Sequence, residues 1–161
     1  MITYRAAKFD DVEKIHKLLN DYAKAGLMLP RSRNAIYENL RDYIVAMQGS
    51  HLVGCGALHF VWDRLAEIRS LAVDPELKCT GIGRNIVELL EKEGIGRGVK
   101  MFFTLTYQPG FFAKCNYIET AKEKLPQKVW KECVYCPQYP YCNEIAFVKT
   151  TVDYQPGDIL F

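Results

Sequence analysis

No stretch of this chain is apolar for long enough to cross a membrane, and its opening MITYRAAKFDD lacks the apolar centre of a secretory leader. Charge of one sign is scarce too. The 21 Lys and Arg against 19 Asp and Glu leave a formal +2, too little to argue for nucleic acid or an anionic membrane as partner. No segment repeats and no low-complexity linker interrupts the 161 residues, so a single domain over residues 1–161 with a sizeable core is expected. The commonest phosphate motifs are missing: there is neither the six-residue glycine pattern of a dinucleotide fold nor the Gly-Lys-Ser/Thr of a nucleotide loop. His16, His51 and His59 read as residues flanking a sheet and not as a catalytic group. With 49% hydrophobic and 25% charged residues the composition is that of an ordinary soluble globule, expected in the cytoplasm. Its six cysteines then read as thiols or metal ligands, because the cytosol is reducing.

What the sequence does contain is the stretch LAEIRSLAVDPELKCTGIGR, Leu65 to Arg84. An apolar, β-branched run reads as a buried strand and breaks at Asp74-Pro75. A short loop with Gly81 and Gly83 then leads into an amphipathic segment from Arg84 to Glu93. Strand, glycine loop and helix start aim unpaired backbone N–H groups and the positive end of a helix dipole at one place. A phosphate is the expected guest. A structural alternative is an ordinary strand–turn–helix with glycines for packing.

Ile2–Ala6 reads as the first strand. Asp10 and Glu13 look like a capping box, ahead of Val12, Ile15, Leu18, Leu19 and Tyr22 on one helical face, with Gly26 ending the helix. A second helix is expected from an N-cap at Ser32, carrying Ile36, Leu40 and Tyr43. Strands Tyr43–Gln48 and His51–Trp62 flank a Gly49-Ser50 hairpin. After the loop, Ile86, Val87, Leu89 and Leu90 are expected to face inward on a helix running to about Arg97 and stopping at Gly98. Met101–Thr106 reads as a strand, Pro109–Lys114 as a short helix, and Tyr117–Thr120 and Glu144–Lys149 as final strands. The order β-α-α-β-β-β-α-β-α-β-β predicts a mixed α/β sheet with helices on both faces.

Lys78-Cys79-Thr80-Gly81-Ile82-Gly83 resembles the acetyl-CoA loop of the GNAT acyltransferases, Gln/Arg-x-x-Gly-x-Gly/Ala, with Lys78 in place of the usual Gln or Arg. The element order resembles the GNAT fold as well, which implies a mixed sheet with splayed strands 4 and 5. Further segments, GLMLPRSR (26–33), VGCGALHF (53–60), LAEIRSLAVDPE (65–76), FFTLT (102–106) and KLPQKVWKECVYC (124–136), resemble the acetyltransferase domain of the N-acetylglutamate synthase family in its short, stand-alone form.

That resemblance implies transfer of acetyl from acetyl-CoA to the α-amino group of glutamate, the first step of arginine biosynthesis. It places Glu67 where the family has its general base. Backbone of Leu71, Ala72 and Val73 would hold the pantetheine arm and offer N–H groups to the developing oxyanion. Backbone of Cys79, Thr80, Gly81, Ile82, Gly83 and Arg84 would hold the pyrophosphate, with charge from Lys78 or Arg84. Tyr107 is the candidate general acid, with Ser70 and Thr106 behind it, and Phe112 packs under the coenzyme or in the core. A dicarboxylate acceptor calls for guanidinium forks, for which Arg31, Arg33 and Arg69 are the candidates. Lys128 and Lys131 stand where longer family members carry further arginines.

Cys133-x-x-Cys136 and Cys142 offer three thiolates at spacings a zinc site could use, but no CxxC partner or nearby histidine completes a fourth ligand. A thiol-rich turn over the substrate pocket is preferred, and no metal is assigned. The expected partner is a small-molecule amine, with no nucleic acid and no membrane, and a homodimer is compatible with the sequence. Two alternatives stay open: an acetyltransferase for another small amine or a protein N-terminus, and a non-catalytic acyl-CoA-binding or metal-binding module.

Overall fold

A computed structural model describes residues 1–125 and 144–159. Its elements are β1 (Ile2–Ala6), α1 (Val12–Lys24), α2 (Arg33–Glu38), β2 (Tyr43–Gln48), β3 (His51–Trp62), β4 (Leu65–Val73), α3 (Ile82–Gly96), β5 (Met101–Thr106), α4 (Pro109–Lys114), β6 (Ile118–Thr120) and β7 (Ile145–Thr150). The strands form a seven-stranded mixed sheet in the order β1-β2-β3-β4-β5-β7-β6. Pairing is antiparallel for β1–β2, β2–β3, β5–β7 and β6–β7 and parallel for β4–β5, the arrangement of the GNAT fold. Among the described residues, β4 pairs with β5 only from Leu65 to Glu67, although both strands run on beyond that point. The described residues divide into two compact units, 1–59 with 68–93, and 60–67 with those from 94 onward. Strand β4 contributes to both.

In the first unit, Val12, Ile15, Leu19 and Tyr22 form the buried stripe of α1 and join Ile36 of α2 against Val45, Met47, Cys55, Ala57 and Ala72 of the sheet. Helix α3 covers β3 through Ile82, Ile86 and Leu90. Here two glycines are needed for close approach: a Cβ on Gly56 would lie 2.7 Å from Ile86 Cγ2, and one on Gly54 would lie 3.1 Å from Ile82 Cγ2. Helix α1 ends as expected. Gly26 takes φ +74°, its N–H donates to Ala23 O, and Leu27 N–H reaches back to Tyr22 O, a Schellman closure. Helix α3 closes in the same way at Gly98, with φ +97° and Val99 N–H on Gly94 O.

The entry to α1 differs from the expected capping box. A 3-10 turn over Phe9–Asp11 shifts the capping carboxylate to Asp11, whose Oδ2 accepts the Lys8 N–H at 2.7 Å. Asp11 is 3% exposed and also takes both arms of Arg5, at 2.7 and 3.0 Å. The Arg5 hydrogen bond, with the Lys8 amide behind it, holds its carboxyl below the usual range against the opposing effect of burial. Such a group stabilises the fold above its unfolded pKa, near 4, and loses that contribution as pH falls through the folded value. Asp11→Ala is therefore expected to cost about 1–3 kcal/mol at pH 7 in urea melts, a difference from wild type that shrinks below about pH 4.

Three other expectations are corrected. Helix α2 stops at Glu38, and a 3-10 turn over Leu40–Asp42 leads Tyr43 into β2, so Leu40 and Tyr43 are not helical. Leu89 is 37% exposed, because the close contact made at the two β3 glycines turns only Ile86, Val87 and Leu90 of that set inward. The last strands start one residue later than expected, at Ile118 and Ile145.

The second unit has its own core, with Leu65, Phe103, Leu125, Ala146 and Ile159 packed against Val61, Met101, Leu105, Val148 and Tyr154. Ile159 brings the tail of the described chain into that core. No helix among the described residues is long and apolar enough to cross a membrane.

Candidate active site

Strand β4 is regular until Ser70, which adopts φ +55°, a left-handed conformation that no glycine is present to ease. Ile68 and Arg69 are both buried just before it. Two side chains hold the kink. Tyr43 of β2 donates its hydroxyl to Ser70 Oγ at 3.2 Å, and Cys55 of β3 donates its thiol to Ser70 O at 3.5 Å. Burial pushes the Cys55 thiol up to about 12, so it is an inert packing group and hydrogen-bond donor. Burial also raises the Tyr43 phenol, opposed by the Ser70 hydrogen bond and by the positive charges of Arg31 and Arg69. Of these two arginines, Arg69 is buried in β4 beside Ser70. Arg33, the first residue of α2, instead lays its Nε on both oxygens of Glu13, at 2.8 and 3.1 Å, in an exposed pair.

Past the kink, Val73 is met by Tyr22 of α1, whose hydroxyl donates to Val73 O at 2.8 Å and accepts from Val73 N at 3.0 Å. Asp74 then caps a 3-10 turn over Pro75–Leu77 by accepting Glu76 N–H at 3.0 Å. The loop that follows carries two left-handed residues, Cys79 at φ +64° and Gly81 at φ +91°. Gly81 O accepts the Asn85 N–H at 2.9 Å as α3 begins at Ile82. A Cβ on Gly81 would meet nothing within 4 Å, so the surface above it is open. The Lys78 ammonium sits 5.1 Å from the centre of the Tyr22 ring. Arg84 pairs with Glu88 one turn on, at 3.2 Å. Left-handed turns ahead of a helix N-terminus, open space and a lysine together suit a diphosphate.

In the second unit, Glu67 is half-buried at the last β4–β5 register, opposite Phe103. Thr106 closes β5 and accepts the Gln108 N–H on its hydroxyl at 2.8 Å, and half-buried Tyr107 follows it. Phe112 is 4% exposed, edge-on to Phe111 at 5.1 Å and to Tyr117 at 5.3 Å. Cys133, Cys136, Cys142, Lys128 and Lys131 lie outside the described residues. Among those described, no group of three or more His, Cys, Asp or Glu could hold a metal.

The first unit therefore brings Tyr43, Cys55 and Ser70 together and sets Lys78 over Tyr22, whereas Arg33 is engaged with Glu13. Tyr22 and Tyr43 are the residues that sequence reasoning missed as parts of the site. The available signal was a buried phenol, which needs a partner for its hydroxyl.

A strand kinked next to a helix-capping anion loop, inside a mixed sheet whose central parallel pair separates early, is the architecture of acyl-CoA transferases. Residues 12–117 match the model of the acetyltransferase (GNAT) family, and the chain belongs to that family. It is an N-acetyltransferase with acetyl-CoA as co-substrate. It is 44% identical over 146 residues to an uncharacterized N-acetyltransferase of Chlorobaculum tepidum, covering 91% of this chain and 94% of that one. To the amino-acid acetyltransferase of Mycobacterium tuberculosis it is 34% identical over 131 residues, 80% of this chain and 75% of that one. The crystal structure of N-acetylglutamate synthase from Neisseria gonorrhoeae, complexed with coenzyme A and N-acetyl-glutamate, superposes with a TM-score of 0.84 at 23% identity. That match covers 93% of this chain and 35% of the Neisseria chain.

Proposed function

We propose that this enzyme acetylates the α-amino group of glutamate, the opening step of arginine biosynthesis. The observation that carries the proposal is the buried Arg69 of β4, adjacent to the Ser70 that Tyr43 holds, with the positive charges of Arg69 and Arg31 both opposing the rise of the Tyr43 phenol. Forked cations favour an acceptor bearing carboxylates over a neutral or cationic amine. The named relatives support the same substrate class.

Acetyl-CoA supplies the acetyl group activated as a thioester. Only an unprotonated amine attacks it, so Glu67 takes the proton, directly or through water. Backbone N–H groups of β4 around Leu71, turned by the Ser70 kink, face the negative charge that develops on the carbonyl oxygen. Tyr107 returns a proton to the leaving sulfur. Backbone of residues 79–84 and the Lys78 charge hold the diphosphate.

The test is thiol release from acetyl-CoA against the twenty amino acids, with glutamate expected to be the best acceptor. Preference for neutral or cationic amines overturns the substrate assignment while leaving the transferase class intact. Arg31→Ala is expected to raise the KM for glutamate by about tenfold to a hundredfold and that for acetyl-CoA by less than about twofold. Arg33→Ala, which breaks only an exposed pair with Glu13, should change the glutamate KM by less than about threefold. Equal effects of Arg31→Ala on both substrates would place the carboxylate pocket elsewhere.

A further inference from the structure

Tyr22 is 4% exposed, and its hydroxyl serves both main-chain groups of one residue, Val73, at 2.8 and 3.0 Å. The neighbouring Asp74 N–H points the other way, donating to Val53 O of β3 at 2.8 Å. Successive amides of a strand face opposite edges, so Val73 presents its N–H and C=O to the edge away from β3. Among the described residues, the pairing of β4 with β5 ends at Glu67, well upstream. At Val73 the edge is thus closed by a side-chain hydroxyl where a strand or a ligand would otherwise pair. A buried N–H left open is costly, which explains why a tyrosine stands at this core position of α1.

A ligand whose diphosphate sits on the Lys78–Arg84 loop and whose arm carries amides would lie along this same edge, pairing as an added strand does. An N–H makes one strong hydrogen bond. We infer that the Tyr22 hydroxyl is a displaceable occupant of the coenzyme's edge: it and a pantetheine amide compete for the Val73 N–H, and docking of the arm swings the phenol away. Lys78 connects this exchange to the loop, since its ammonium lies over the Tyr22 ring and a diphosphate would draw it off. The inference rests on reading residues 78–84 as the coenzyme site.

Calorimetric titration of wild type and Tyr22→Phe with CoA, and with adenosine 3′,5′-bisphosphate, separates the two. The bisphosphate carries the nucleotide and no pantetheine. Tyr22→Phe is expected to bind CoA about threefold to tenfold more tightly than wild type and to bind the bisphosphate equally well. Amide exchange gives a second readout. The Val73 N–H should lose protection in free Tyr22→Phe and regain it when CoA saturates the protein. Equal or weaker CoA affinity with unchanged bisphosphate binding, or a Val73 amide still exposed under saturating CoA, overturns the competition and leaves Tyr22 a structural prop. A wild type that binds neither ligand removes the coenzyme site itself, and this inference with it.

Discussion

Glu67→Gln is expected to lower turnover by about two to four orders of magnitude near neutral pH while leaving the Kd for CoA within about twofold of wild type. The residue sits in β4 at the end of its pairing with β5, three positions before the kink at Ser70, and is half-buried in a strand otherwise composed mostly of apolar residues. Glutamine keeps the size and much of the hydrogen bonding but cannot accept a proton at neutral pH. If the carboxylate acts as base, only the small fraction of acceptor that is already unprotonated reacts in the variant. Its residual rate should then climb with pH towards the acceptor's own amine pKa, while the wild-type rate levels off earlier. Steady-state rates from pH 6 to 10, with CoA affinity measured separately, decide it. Turnover unchanged at pH 7, or a loss that is the same at every pH, would remove Glu67 as the base and leave it a structural carboxylate.

Much of this fold could be read from local pattern, because the deciding forces were local. The alternation and β-branching of ITYRA, YIVAMQ and MFFTLT place β1, β2 and β5 at their observed limits, and Gly49-Ser50 marks the hairpin between β2 and β3. Ser32 caps α2 by accepting the Ala35 N–H, a one-turn interaction that sequence spacing captures. What escaped depends on partners far along the chain. A left-handed serine carries no sequence tag, and the kink at Ser70 is held by Tyr43 and Cys55 from two other strands. Tyr43 both continued the helical spacing of Ile36 and Leu40 and opened the strand YIVAMQ, and pairing with Ala57 decides for the strand. Gly54 and Gly56 drew notice as part of a family segment, whereas their physical role, letting α3 lie against β3, needed the third dimension. The candidate site divides along the same line. The candidate anion loop is contiguous in the chain, whereas the group around Ser70 is assembled from β2, β3 and β4. Sequence could nominate Arg31 and Arg33 together, but only the ion pair with Glu13 separates them.

The loop itself yields the other large expected effect. Gly81 holds φ +91°, and an added Cβ would touch nothing within 4 Å, so conformation and not space sets the tolerance of this position. Side chains should rank there by how readily they enter positive φ: asparagine best, alanine next, and β-branched valine worst. The loop belongs to the exposed part of the chain, between a 3-10 turn and the start of α3, and is free to rearrange without exposing core. Valine's strain, on the order of 1–3 kcal/mol, should therefore be relieved by loss of the loop geometry at little expense to global stability. Each amide that turns away from a diphosphate removes a charge-assisted hydrogen bond worth about 1.5–3 kcal/mol. Gly81→Val is accordingly expected to weaken CoA binding by at least about a hundredfold with a melting temperature within a few degrees of wild type. Gly81→Asn should stay within about fivefold, and Gly81→Ala should fall between the two. If valine binds as tightly as asparagine, left-handed backbone at residue 81 plays no part in gripping the coenzyme. If all three variants weaken binding equally, chain flexibility and not the sign of φ is what this glycine supplies.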